Sequence, residues 1–183
     1  MIKQKKFNDQ DQIFTSSQEK KELYGEVFTP YILIEMMLNS IPIKHYKNKN
    51  NKWLDIGAGI GYYSIYLYYK LFENLKKGFG TDEECKDHII CNMIYMVEIQ
   101  EENVIELKKT FGDNANIIFD DYLNYSPNFK PDFIIGNPPF NGGGIKKVPT
   151  NTDLKKSCDG KTIWTLFIKK SVSLLKDKTG ILC

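Results

Sequence analysis

The sequence predicts an α/β fold, a mostly parallel sheet with helices on both faces. Short apolar runs alternate with stretches of helical periodicity, which is the pattern of strands buried under crossover helices. A glycine-rich turn follows directly on the first apolar run, as in doubly wound sheets. The chain has 183 residues, the length of one domain, and 42% of them are hydrophobic, enough to bury a core and to exclude wholesale disorder.

The elements follow in order. Residues 1–21 are mostly Lys, Gln, Asp and Ser and are expected to form a flexible arm, with one domain over 22–183. At Thr29-Pro30 a helix begins, with Thr29 as N-cap and Pro30 at the first helical position, where its missing N–H costs nothing. Ile34, Met37, Leu38 and Ile41 give its apolar face, and Pro42 ends it. A polar connector from His45 to Lys52 follows, in which His45 is expected to face solvent. Trp53 to Ile56 reads as the first strand, Gly57, Gly59 and Gly61 as its turn, and Ile65, Tyr68, Tyr69 and Phe72 as one face of the next helix. Gly78 to Gly80 breaks that helix, and Asp82 to Cys91 reads as a short extra one. Strands are then expected over 93–99, 116–119 and 132–135, with a helix over 102–111 between the first two. A loop over 141–161 leads to a helix whose face carries Trp164, Phe167, Ile168, Ser171 and Leu175, and 180–183 opens a fifth strand.

Chemistry-bearing residues cluster at the predicted strand tips. Asp55-Ile56-Gly57-Ala58-Gly59-Ile60-Gly61 lets the backbone bend tightly and approach a ligand, although such a turn also serves as a plain strand-to-helix connection. The carboxylate of Asp55 suits the ammonium of an amino-acid-like ligand and repels a pyrophosphate. Glu98, ending the second strand, can accept from both hydroxyls of a ribose, or be a solvated acid. Ile99 beside it can cover an adenine ring, and Asp120-Asp121-Tyr122 at the third tip can meet the adenine amino group or simply form a turn. Together the tips describe a nucleoside carrying an amino acid, that is, S-adenosylmethionine.

Past the fourth strand stands Asn137-Pro138-Pro139-Phe140. Proline fixes φ, so the Pro138 carbonyl points in a set direction beside the Asn137 side-chain oxygen. Two aligned acceptors hold both hydrogens of an exocyclic amine and leave its lone pair free for in-line attack, while Phe140 stacks on the ring. A rigid proline turn is the plain alternative.

Other features exclude chemistries. All 25 basic residues are lysines, so this chain cannot read guanine edges or phosphates with a guanidinium fork. No Pro-Cys pair offers the thiolate that cytosine-C5 methylation needs. Cys85, His88 and Cys91 lack an evident fourth ligand, so no metal site is expected. The four cysteines form no CxxC, no apolar leader opens the chain and no run of 18 apolar residues occurs. A cytoplasmic or nucleus-like reducing compartment and no membrane are therefore the expectation.

Gly25-Glu26-Val27-Phe28-Thr29-Pro30, the DIGAGIG turn at 55–61, Glu98, Asp121-Tyr122 and the NPPF at 137–140 resemble, in that order, the motifs of N6-adenine-specific DNA methyltransferases of restriction-modification type. The resemblance implies a Rossmann-like class I S-adenosylmethionine-dependent methyltransferase fold, and methyl transfer from that cofactor to the N6 amine of adenine in DNA. By it, Phe28, Thr29 and Pro30 help hold the methionine end, Asp55 and Gly57 line the same part, Glu98 binds the ribose, and Asp121 and Tyr122 meet the adenine; Gly59, Gly61 and Ile99 complete the expected cofactor-binding set. Asn137, Pro138, Pro139 and Phe140 are the catalytic set for an adenine flipped out of DNA. Lys146, Lys147, Lys155, Lys156 and Lys161 stand against Asp153 and Asp159, a local charge of +3, and are expected to track phosphates. The family normally has two more strands after the fifth, so the sequence is expected to be the N-terminal part of a longer catalytic domain, with a specificity or nuclease region elsewhere. An RNA or protein-glutamine amino-methyltransferase, or a non-catalytic cofactor-binding subunit, remain the alternatives.

Overall fold

Every residue of Trp53–Ile56 is buried, as a strand covered on both faces must be. In the computed structural model, which describes residues 29–139, 163–177 and 179–183, this strand, β1, is the centre of a five-stranded sheet. The others are β2 Ile94–Glu98, β3 Asn116–Phe119, β4 Phe133–Ile135 and β5 Ile181–Leu182. The order is β3-β2-β1-β4-β5 and every pairing is parallel. From β1 the chain winds outward through β2 to β3, then returns to build the other half from β4. That reversal leaves a crevice outside the carboxyl ends of β1 and β4, where ligands of doubly wound sheets bind.

Side chains alternate across the sheet. Trp53, Ile94, Met96, Phe133 and Ile135 point into the larger of two core clusters, and Leu54, Ile56, Val97 and Ile134 into the smaller. The larger is covered by α1 Tyr31–Ser40, α2 Tyr62–Leu75, α3 Asp82–His88 and the Leu107–Phe111 end of α4 Glu101–Phe111. The smaller is covered by α5 Trp164–Leu174 through Phe167, and by Tyr122. Trp53, fully buried, stacks between Phe133 at 3.8 Å and Tyr46 at 5.1 Å between ring centroids. The Tyr46 hydroxyl and the Lys70 ammonium both donate to the Leu38 carbonyl near the end of α1, which also takes the Ile41 N–H.

Several expectations shift. Thr29 does not cap α1: Pro30 is the N-cap residue, and the carbonyl of Pro30 takes the first N–H groups. His45 lies in a short 3-10 turn, half-buried edge-on against Phe133, rather than facing solvent. The helix expected over 82–91 is α3 followed by a π-helical turn, Ile89–Met93. On α5, Phe167 and Ser171 are buried, whereas Trp164 and Ile168 are exposed. The loop over 141–161 and the arm over 1–21 lie outside the described residues.

Candidate active site at the carboxyl ends of the strands

The turn leaving β1 requires glycine. Gly57, Gly59 and Gly61 have φ of 75°, 56° and 95°, which side-chain-bearing residues rarely adopt. A Cβ on Gly57 or Gly59 would meet no atom within 4 Å, so these two border open space. Gly61 is different, since a Cβ there would fall 2.8 Å from Leu107 Cδ2 and 3.0 Å from Phe111 Cε2. The first two glycines form a cradle, and the third lets α2 start against α4.

Asp55 lies beneath the cradle on the α2 face of the sheet. Its Oδ2 accepts from Ser64 Oγ at 2.7 Å, while its Oδ1 is buried with no hydrogen-bond partner. Burial pushes its pKa up to about 7; the Ser64 bond opposes the rise and the nearby Glu98 adds to it. A buried carboxylate oxygen without a donor is costly and fits a site completed by a cationic ligand. Ser64 is not among the residues expected from the sequence; its signal there is a small hydroxyl within the mostly aliphatic and aromatic buried stripe of α2.

Gly136, at the end of β4, has φ 136°, and a Cβ there would sit 2.8 Å from the Ile56 carbonyl and 3.3 Å from Asp55 Oδ1. The tips of β1 and β4 therefore touch. Asn137 follows at once, and its Nδ2 donates to Thr29 Oγ1 at 3.1 Å across 108 residues of chain. With the nitrogen end so engaged, the Oδ1 end is the acceptor left for another partner. Thr29, Asn137, Pro138 and Pro139 are all half-buried, and Pro30 is exposed beside them.

Glu98 ends β2, 3% exposed and on the same face of the sheet as Asp55. Its Oε2 accepts from the Gly59 N–H at 2.7 Å, and its Oε1 from the Gln100 N–H at 2.8 Å and Asn103 Nδ2 at 3.4 Å. Ile99 beside it is 49% exposed. At the third tip, Asp121 closes a local turn, its Oδ1 accepting from the Leu123 N–H and its Oδ2 from Asn124 Nδ2. Tyr122 points through to the opposite face: its ring stacks on Phe167 and its hydroxyl bonds Ser171 Oγ at 2.9 Å. Its side chain thus packs in the smaller core rather than on the face that carries Asp55 and Glu98.

Cys85 is buried in the larger core, where burial raises its thiol pKa, and His88 Nε2 bonds the Lys49 carbonyl at 2.8 Å. Phe28, Phe140, Lys146, Lys147, Lys155, Lys156 and Lys161 lie outside the described residues. Among the described residues no helix is long and apolar enough to cross a membrane.

No protein-family model and no curated protein matches the chain. Solved structures do. A protein from Vibrio vulnificus described as a modification subunit of a type I restriction enzyme superposes with a TM-score of 0.54 at 17% identity, over 85% of this chain and 32% of its own. One from Listeria monocytogenes, described as a class I S-adenosylmethionine-dependent methyltransferase, gives 0.53 at 16% identity, over 85% of this chain and 45% of its own. One from Pyrococcus horikoshii, described as an RNA methyltransferase, gives 0.52 at 19% identity, over 88% and 63%. The chain spans less than two thirds of each. Strand order, the glycine cradle at the switch point and these superpositions agree that the chain has the Rossmann-like class I S-adenosylmethionine-dependent methyltransferase fold.

Proposed function

We propose that this chain binds S-adenosylmethionine and carries the catalytic set of an amino-methyltransferase that modifies the N6 amine of adenine in DNA. The observation that carries the reading is the Asn137 amide, held by its nitrogen to Thr29 so that its oxygen is free, one residue after Gly136, where a Cβ would come within 3.3 Å of Asp55 Oδ1. An acceptor so placed serves an amine. It has little to offer a phosphate or a carboxylate.

The residues present fit the cofactor. Asp55 Oδ1 lacks a donor that an ammonium would supply, Gly57 and Gly59 border open space, and Asp55 and Glu98 together make a cation-favouring site. Glu98, which accepts from Gly59, Gln100 and Asn103, stands at the strand tip where a ribose would lie, and exposed Ile99 offers an apolar face for a base. When bound, S-adenosylmethionine supplies an electrophilic methyl group on a sulfonium.

This chain's residues then position the nucleophile. Asn137 Oδ1 and the Pro138 carbonyl accept the two amine hydrogens and draw lone-pair density out of ring conjugation onto the attacking nitrogen. Transfer would join the amine nitrogen to the methyl carbon as the C–S bond leaves its pair on sulfur, and one amine proton would pass to water while Asn137 and Pro138 hold the amine. An adenine reaches the site by flipping from the duplex, with Phe140 as its stacking partner and the lysines of 141–161 at the phosphates. A specificity or nuclease region would be a separate part of such a system, consistent with the Vibrio vulnificus neighbour's description.

The test is incubation with tritiated cofactor and mixed-sequence DNA, followed by digestion. Label in N6-methyladenine supports the reading. Label in RNA or protein glutamine but not in DNA assigns the same site to another amine, and cofactor binding without transfer to any of them assigns a non-catalytic subunit.

A further inference from the structure

Ser64 is wholly buried on α2, in a stripe otherwise made of Tyr63, Ile65, Leu67, Tyr68 and Leu71. A buried hydroxyl needs a partner, and one on a helix can find it in the carbonyl a turn earlier. Ser64 reaches across to the neighbouring strand instead, where its Oγ lies 2.7 Å from Asp55 Oδ2. It has one proton to give, and against a carboxylate it must be the donor.

The two oxygens of Asp55 consequently face different surroundings. Oδ2 is held from the α2 side. Oδ1 is buried with no hydrogen-bond partner and lies toward the tip of β4, where a Cβ on Gly136 would come within 3.3 Å of it. That tip borders the crevice between β1 and β4, next to the open space at Gly57 and Gly59. The terminal torsion of an aspartate is soft, so the plane of the carboxylate needs a pin, and the Ser64 hydroxyl supplies one. The other groups facing Asp55 do not favour its charge. Glu98 on β2 opposes it, Tyr63 of α2 is a phenol kept protonated by burial, and β4 contributes only Ile135 and Gly136. Among the described residues no ion pair reaches Asp55.

We propose that Ser64 is a positioning residue, which by holding Oδ2 presents Asp55 Oδ1 to the crevice as the acceptor for a primary ammonium. An ammonium brings both the donor that Oδ1 lacks and the positive charge missing beside Asp55 and Glu98. The consequence is selectivity: the site prefers a nucleoside that carries an amino acid over the same nucleoside without one. The proposal rests on the cofactor half of the reading above and is independent of which amine is methylated.

Calorimetry on the full chain with two probes tests this. S-adenosylhomocysteine carries the amino acid, and methylthioadenosine has the same adenosine and thioether without it. Wild-type protein is expected to bind the first at least about tenfold more tightly at neutral pH. Ser64→Ala is expected to lose about tenfold for the first, the effect of one hydrogen bond to a charged group, and nothing for the second. Alanine suits a helix, and unchanged binding of the second probe reports that the variant is folded. In ligand-free protein, the Asp55 carboxyl carbon, identified by its loss in Asp55→Asn, should titrate near pH 7, and at higher pH in Ser64→Ala, because the deleted bond favours the carboxylate. Equal losses for both probes, or none for either, overturn the proposal, as does a titration that Ser64→Ala leaves in place. Wild-type protein that binds both probes equally well removes the ammonium from Asp55 and overturns it too. Wild-type protein that binds neither sinks the cofactor reading itself and takes the proposal with it.

Discussion

At the amino ends of β1 and β4, Asp132 has both carboxylate oxygens occupied, Oδ2 by the Lys52 N–H at 2.9 Å and Oδ1 by Lys176 Nζ at 3.1 Å. At the carboxyl ends of the same strands, Asp55 has one oxygen occupied and one bare. Around Asp132 the backbone closes on itself: the Asp132 and Phe133 N–H groups share the Lys52 carbonyl, and the Ile181 N–H takes the Asp132 carbonyl. Around Asp55 stand positive-φ glycines and open space. A carboxylate satisfied by its own chain supports the fold. One left short of a donor costs stability, and fits the cofactor site proposed above.

The sharpest way to break this contrast is Asn137→Ala at the open end. Methyl transfer measured by tritium incorporation is expected to fall about 10²–10³-fold, the loss typical of a positioned polar contact at a reacting centre, while calorimetric cofactor affinity holds. Next comes Gly136→Ala, which forces a side chain to within 2.8 Å of the Ile56 carbonyl at φ 136°. Urea unfolding should show a loss of about 1–3 kcal/mol, and cofactor affinity should weaken with it because Asp55 is displaced. At the closed end, Asp132→Ala leaves the Lys52 N–H without its acceptor and should cost about 1–2 kcal/mol in the same assay with cofactor affinity intact. If Asp132→Ala impaired binding as much as folding, the two ends would not be separable.

The mildest effect is one of pH. Asp55 has its folded pKa raised from 3.8 to about 7 by burial, so the folded state holds a proton that the unfolded state releases. Its contribution is nil below the unfolded value, and stability declines as pH rises from there through about 7. A cationic ligand favours the carboxylate, so cofactor affinity should move the opposite way, rising about fivefold from pH 6 to pH 7 with proton release seen by calorimetry in buffers of different ionisation enthalpy. Asp55→Asn should abolish that dependence.

Local chemistry made much of this legible. Trp53–Ile56 and Asn116–Phe119 have the expected bounds because short, mostly apolar runs closed by a glycine or by acidic residues leave a strand little freedom. The glycine turn and Asn137-Pro138 could be located because φ constraints belong to single residues. Tyr122 could not be placed, since inward and outward side chains at a strand tip differ only in where the turn closes, and Asp121 closes it one residue earlier. The exposed Trp164 and Ile168 show that periodicity reveals a stripe without revealing what covers it. Thr29 reads locally as a helix cap, but its partner is 108 residues away. A capping box at Thr81 and Glu84 was present in the sequence and explains why α3 starts where it does.

Gly61 bears on mechanics. With no Cβ between them, the start of α2 sits directly against Leu107 Cδ2 and Phe111 Cε2 of α4. A methyl group at position 61 would have to push those two side chains aside, so the two helices keep their close approach only while this position stays bare.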